Sequence, residues 1–391
     1  MDPRSNPYSP GAGTRPPELA GRDQIIERAA IALDRIRAGR SARSLLLYGL
    51  RGVGKTVLLT QIRLEAEARG FACVAIEAPE KRDLPSLLVP AIRAVLLRLS
   101  RSEHIKSRLA GAMEALVGFA KSFKIKVQDV EFGIDLKPSP GLADSGDLEQ
   151  DLADLLQAVG QAAAAGKTAI ILFIDELQYI PEKEFAALIS ALHKTNQLQL
   201  PVALMGAGLP QLVGLAGRAK SYAERLFEYC SIGQLDEEAA QDALCKPAAK
   251  EGVTYQDAAI REILKQTQGY PYFLQEWGKH AWNLAAHTPI DVATAHAATA
   301  QALAELDQSF FRVRFDRLTP LEKHYLAAMA ELGAGPHRSG EIAQKMGKDV
   351  QTVAPVRNSL IKKGMIYSPA HGDTAFTVPL FDGFMKRTMA F

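Results

Sequence analysis

Five short apolar runs punctuate the first 233 positions: residues 44–48 (SLLLY), 71–76 (FACVAI), 169–174 (AIILFI), 201–205 (PVALM) and 227–232 (FEYCSI). Runs of five or six apolar residues with no polar alternation read as strands buried on both faces. Between most of them lie longer stretches of helical periodicity, such as residues 57–69, 148–165 and 182–195. Strands alternating with helices imply a parallel sheet covered by helices, so the pattern predicts an α/β core over residues 18–233. One segment breaks the alternation. In FKIKVQDVEFGIDLKP, residues 123–138, apolar side chains fall at 123, 125 and 127 and then at 130, 132, 134 and 136. The change of phase at Gln128 and Asp129 predicts a β-hairpin inside an insertion over about 101–146.

Beyond Leu235 the pattern turns wholly helical, through DEEAAQDALCKPAAK, YQDAAIREILKQTQG, YFLQEWGKHAWNLAAH and DVATAHAATAQALAELDQSFF. These four segments predict an all-α domain over 234–310. From Thr319 follow LEKHYLAAMAELG, SGEIAQKMG and DVQTVAPVRNSLIKKGMI, then two short strands around His371, Gly372 and Asp373. Three helices and a hairpin predict a winged helix over 311–391. At the other end, MDPRSNPYSPGAGTRPP is rich in Pro, Gly and Ser and has no apolar core, so residues 1–17 read as a disordered tail rather than a leader.

The candidate chemistry lies where the first strand ends. Gly49, Leu50, Arg51, Gly52, Val53, Gly54, Lys55 and Thr56 spell GxxxxGKT between a predicted strand and a predicted helix. Glycines let the backbone turn its N–H groups toward one anion, the opening of the helix through Val57 adds positive potential, and Lys55 supplies a mobile point charge. That combination fits the β- and γ-phosphates of ATP, with the Thr56 hydroxyl as one oxygen ligand for Mg²⁺. A second acidic group is needed, and IILFIDE supplies it. An apolar strand ending in Asp175 and Glu176 sets two carboxylates at the sheet edge where ligands of open α/β sheets bind. Asp175 is the candidate magnesium ligand, and Glu176 the candidate for polarising an attacking water.

Composition narrows the setting. The chain has 391 residues, enough for two or three cores, with a hydrophobic fraction of 47% and a charged fraction of 23%. The apolar run at 169–174 is far too short to cross a bilayer. Cys73, Cys230 and Cys245 are odd in number and lack CxxC spacing, which speaks against a disulfide framework or a zinc site and fits a reducing cytoplasm. A net charge of +2 gives no global field for nucleic acid, so any such affinity rests on local patches. Residues 93–126 hold eight Lys or Arg against Glu103 and Glu114, either a solvated helix face or a phosphate-facing patch.

With these residues in place, the chain resembles AAA+ type P-loop ATPases, close to the Orc1/Cdc6-like and STAND branches. ELAGRDQIIERAAIAL, from Glu18, is similar to the segment that precedes the phosphate loop in those families and packs beside the adenine, Gly21 and Arg22 being the matching positions. SYAERLFEY, from Ser221, resembles the box that supplies an arginine finger in AAA+ oligomers, with Arg225 at the matching position; the alternative is that Arg225 pairs with Glu224 or Glu228. GYPYFLQEW, from Gly269, looks like the GxP lid signature, which implies that Pro271 approaches the adenine. The pattern departs from AAA+ proteins at MGAGLP, residues 205–210, where a polar sensor is usual and no polar side chain occurs before Gln211.

The resemblance implies an ATP-hydrolysing switch that exchanges ADP and ATP, moves its lid and assembles as a homo-oligomer or with a protein partner. Its winged helix implies contact with duplex DNA through Gln351, Thr352, Arg357, Lys362 and Lys363; the alternative is docking to a protein. Residues 319–391 carry nine Lys or Arg against six Asp or Glu, which is only mildly basic. The basic residues of SFFRVRFDRL, residues 309–318, either extend that patch or form a hinge.

Overall fold

The computed structural model describes residues 1–80, 82–99, 106–125 and 140–389, which fall into two compact units. The first, here the sheet unit, comprises residues 23–48 and 55–231. The second, the helical unit, comprises residues 1–22, 49–54 and the chain from 232 onward.

In the sheet unit, α1 (Asp23–Arg37) precedes β1 (Ser44–Tyr48), α2 (Lys55–Ala68), β2 (Ala72–Glu77), α3 (Leu84–Leu99), α4 (Lys106–Ser122) and α5 (Leu148–Ala165). Then come β3 (Ile170–Asp175), α6 (Glu182–Gln197), β4 (Val202–Gly208), α7 (Gln211–Ala219), α8 (Ala223–Leu226) and β5 (Phe227–Ser231). All five strands are parallel, in the order β2-β3-β4-β1-β5. Every residue of β3 and β4 is buried, whereas the edge strand β2 exposes Ala75 and Glu77. Central strands covered on both faces cannot carry polar alternation, and this is why AIILFI reads as one apolar run. Register sets Leu46 opposite Gly206, and Leu172 opposite Val74 and Leu204. β4 thus lies between β1 and β3, whose carboxyl ends fall on the same edge of the sheet.

The helical unit contains α9 (Glu237–Lys250), α10 (Asp257–Thr267), α11 (Pro271–Leu284), α12 (Val292–Gln308) and α13 (Arg312–Asp316). After them come α14 (Pro320–Leu332), β6 (His337–Arg338), α15 (Ser339–Lys345), α16 (Val350–Lys362), β7 (Ile366–Tyr367), β8 (Asp373–Phe376) and α17 (Phe381–Thr388). Side-chain caps start several of these helices: Asp236 accepts from Ala239 N–H, Asp291 from Thr294 N–H, and Thr319 and Glu322 form a reciprocal capping box. β6, β8 and β7 form a small antiparallel sheet in that order.

Two expectations are corrected here. Residues 1–17 are not a disordered tail: Tyr8 is buried, and its hydroxyl donates to the Leu244 carbonyl and lies 2.9 Å from the Tyr255 hydroxyl. A single aromatic anchor outweighs the surrounding Pro, Gly and Ser. SFFRVRFDRL is not a bare hinge, since Phe311, Phe315 and Leu318 are buried and the Arg314 guanidinium lies over the Phe310 ring, while Arg312 and Arg317 are exposed. The hairpin expected over 123–138 lies outside the described residues, apart from Phe123, Lys124 and Ile125, which close α4.

Candidate active site

Lys55, Thr56 and Val57 form the first turn of α2, and the Lys55 side chain is buried. At the end of β3 the chain presents two consecutive carboxylates, Asp175 and Glu176. Asp175, the last residue of β3, accepts a hydrogen bond from the Thr56 hydroxyl at 2.6 Å on one oxygen and from the Glu176 N–H at 2.8 Å on the other. Burial pushes the Asp175 carboxyl above the usual carboxylate range, against the pull of the Thr56 and Glu176 hydrogen bonds. Its hydroxyl partner and its own oxygens are hard donors, the ligand chemistry Mg²⁺ prefers.

Glu176 is held in the left-handed region, φ 53° and ψ 37°, where a side chain other than glycine costs about 1 kcal/mol. The turn continues as a single 3-10 turn through Leu177, Gln178 and Tyr179. Leu177 is fully buried because β4 offers it space: a Cβ at Gly206 would lie 2.2 Å from Leu177 Cδ1. Gln178 reaches the end of β4, where its Oε1 accepts from the Leu209 N–H at 2.9 Å, while its Nε2 donates to Glu176 Oε2. Sequence reasoning did not find Gln178; the signal was present in the side-chain-free MGAG of β4, which leaves a polar place that a neighbouring turn can fill.

The preceding loop belongs to the helical unit. Gly52 and Gly54 have φ of 80° and 90°, conformations that require glycine. A Cβ at Gly49 would lie 2.0 Å from the Ile232 carbonyl oxygen. Three groups brace the loop's backbone. Buried Arg22 donates to the carbonyls of Val53 at 3.2 Å and Gly233 at 2.6 Å, and its burial pulls the guanidinium pKa below its ordinary value. The Gly52 carbonyl accepts from Tyr272 N–H at 3.1 Å, and the Arg51 N–H donates to the Thr377 carbonyl at 2.9 Å. Pro271 is the first residue of α11, just ahead of Tyr272. Leu50 lies in the same loop, half-buried.

The remaining candidates separate. Arg225 is exposed on the short α8, and Glu228 pairs with Arg28 at 3.6 Å. On α16, Gln351, Thr352 and Lys362 are exposed. Arg357 is turned inward, donating to Thr374 Oγ1, Ser368 Oγ and the Asp373 carbonyl at 2.9–3.0 Å. Lys363 donates to Glu322 at 2.7 Å and to the Arg317 carbonyl at 3.1 Å. Arg357 and Lys363, both expected among the DNA contacts, are thus hydrogen-bonded to acceptors within their own unit.

A parallel sheet with strand order β2-β3-β4-β1-β5, a GxxxxGKT loop and a carboxylate hydrogen-bonded to the loop's threonine define a P-loop nucleoside triphosphatase fold. Residues 18–205 match the AAA ATPase domain family model, in keeping with an AAA+ type fold. Residues 308–385 match a domain of unknown function (DUF8462). Among solved structures, the Walker-type ATPase PABY2304 of Pyrococcus abyssi superposes with a TM-score of 0.59 at 17% identity, covering 95% of this chain and 97% of that one. The Aeropyrum pernix Orc1 protein in complex with DNA gives 0.47 at 16% identity, with 95% and 94% covered. The Thermotoga maritima RuvB Holliday junction branch migration motor gives 0.46 at 16%, with 93% and 96% covered. No curated protein sequence matches the chain. Among the described residues, no helix is long and apolar enough to cross a membrane.

Proposed function

We propose that this protein is a slow, cytoplasmic ATP-hydrolysing switch that reports its nucleotide state through the domain over 308–385. The backbone amides of 52–57 are suited to receive the phosphates of ATP or ADP, and Lys55 to neutralise the β- and γ-phosphate charge. Thr56 and Asp175 would hold Mg²⁺, which when bound supplies charge neutralisation and orientation of the triphosphate. Glu176 orients a water for in-line attack on the γ-phosphorus and accepts its proton as the bond to the ADP oxygen breaks. Arg225, exposed as it is, suits a finger donated in trans within a homo-oligomer. Arg22 and Pro271 flank the adenine.

One observation carries the switch reading: the loop is hydrogen-bonded to both of the elements it would have to move, Tyr272 on Gly52 and Thr377 on Arg51. From Tyr272 an aromatic series runs to Phe310, 4.8 Å away, to Phe311 at a further 5.3 Å, and to Phe384 at 5.4 Å from Phe311. A small loop shift with γ-phosphate loss is therefore transmitted to α11 and α17 by packed rings, which move together or not at all. The test is amide hydrogen exchange of Arg51 and Tyr272 with ADP and with a non-hydrolysable ATP analogue. Different protection in the two states supports the switch; identical protection at both amides, with both nucleotides bound, overturns it.

We read α14–α16 with their small sheet as a winged helix that contacts duplex DNA through Gln351, Thr352 and Lys362. The inward bonding of Arg357 and Lys363 favours a second reading, a winged helix that docks a protein. Binding to random duplex DNA across a salt series separates the two, because phosphate-driven binding weakens steeply as salt rises.

A further inference from the structure

We propose that Gln178 is a positioning residue that fixes the water-orienting carboxylate of Glu176 and does from the turn after β3 what a polar side chain at the end of β4 would otherwise do. The inference rests on the hydrolytic reading above. Its basis is a relay of two bonds within the sheet unit. The Leu209 N–H, at a fully buried residue just past β4, donates to Gln178 Oε1 at 2.9 Å, and Gln178 Nε2 donates to Glu176 Oε2. The first bond fixes which end of the amide is which: its oxygen is committed to a backbone N–H, so its nitrogen must face Glu176. The carboxylate therefore receives a donor on Oε2.

β4 is cut to accommodate this arrangement. A Cβ at Gly208 would lie 2.7 Å from Gln178 Oε1, and one at Gly206 2.2 Å from Leu177 Cδ1, so a side chain at Gly208 would displace the Gln178 amide and one at Gly206 the Leu177 side chain beside it. Glu176 is meanwhile kept at φ 53°, a conformation that persists only where surrounding bonds over-determine it. The missing polar residue in MGAGLP and the strained acidic turn are two halves of one device.

Two variants of the full chain separate positioning from simple structural support. In Gln178→Glu the side-chain oxygen that caps Leu209 is kept, while the donor to Glu176 is replaced by a second carboxylate. A structural cap would tolerate it; a positioning residue would not. The expected result is a fall in kcat of about 10-fold or more for both Gln178→Glu and Gln178→Ala, with the dissociation constant for ATP within about 3-fold of wild type. In a Glu176→Gln background the same changes should cost no more than about 2-fold, because the group being positioned is gone. Wild-type turnover in Gln178→Glu, with Gln178→Ala alone impaired, overturns the proposal and leaves hydrolysis at this site intact. A wild-type protein that binds ATP but never turns it over overturns both.

Discussion

The acidic turn after β3 and the helix α16 are both rich in polar side chains, and they use them in opposite ways. In the turn, backbone and side-chain donors converge on two carboxylates, and the chain accepts a left-handed glutamate to keep them at the edge of the sheet. At α16 two cations are drawn inward: Arg357 ties the helix to β8 and Ser368, and Lys363, just past its end, ties it to the capping box of α14. The difference teaches that a charged residue is available to a ligand only if its own unit leaves it so. Charge content alone does not separate the two regions.

The largest effect that would test this contrast is at Lys55. On the proposed function Lys55 neutralises phosphate charge, and removing such a buried cation should cost about 4 kcal/mol, or about 1,000-fold in affinity. Lys55→Ala is therefore expected to abolish ATP binding by titration calorimetry; binding within 10-fold of wild type would break the comparison at its stronger end. Glu176→Gln comes next. It should keep ATP affinity and lose about 100-fold in turnover, since only proton acceptance and water orientation are touched. A proportional loss of both would mean that the carboxylate holds the nucleotide and not the water.

At the other region the expected effects change kind. Arg357→Ala removes three charge-assisted bonds within the unit and should destabilise the fold by about 1.5–3 kcal/mol in urea unfolding. The salt dependence of any DNA binding should be unchanged by it. Lys362→Ala should do the reverse, leaving stability alone and lowering the salt slope by about one. If Arg357→Ala lowers the slope and spares stability, α16 belongs with the acidic turn and not against it.

Much of this was legible in the residues, for physical reasons that differ by region. β1 and α5 were read to the residue because β1 is bounded by polar and glycine punctuation and α5 by its Asp147 cap. The AAA+ type fold followed from the GxxxxGKT loop and the apolar strand ending in Asp175. β4 was read short, as 201–205 and not Val202–Gly208, because Gly206 and Gly208 carry no side-chain signal although they pair in the sheet. Gln178 was invisible for the same reason, its role being created by an absence on another strand. Tyr8 was missed because composition is averaged over a window and one buried ring is not. α17 and β6 went unread: the first is eight residues with a glycine in its first turn, the second only two residues long.

The smallest expected effect concerns Glu322, which sharpens the contrast because it is a buried carboxylate with a purely internal duty. It caps Thr319 N–H at 2.7 Å and accepts from Lys363 at 2.7 Å and Ser359 at 2.8 Å. Burial works to raise its pKa, but those bonds outweigh it and hold the carboxyl below the usual value of 4.5. A depressed folded pKa means that the ionised group stabilises the fold above the unfolded value, and that this contribution is lost as pH falls through the folded one. Glu322→Gln preserves the capping geometry and removes only the charge. It should be less stable than wild type by about 1 kcal/mol at pH 7, and the gap should close as pH falls below the usual glutamate value. Asp175, its opposite number at the sheet edge, has its pKa pushed the other way by burial. A gap between wild type and Glu322→Gln that stays constant from pH 7 to pH 3 would show that ionisation of Glu322 is not what stabilises this end of α16.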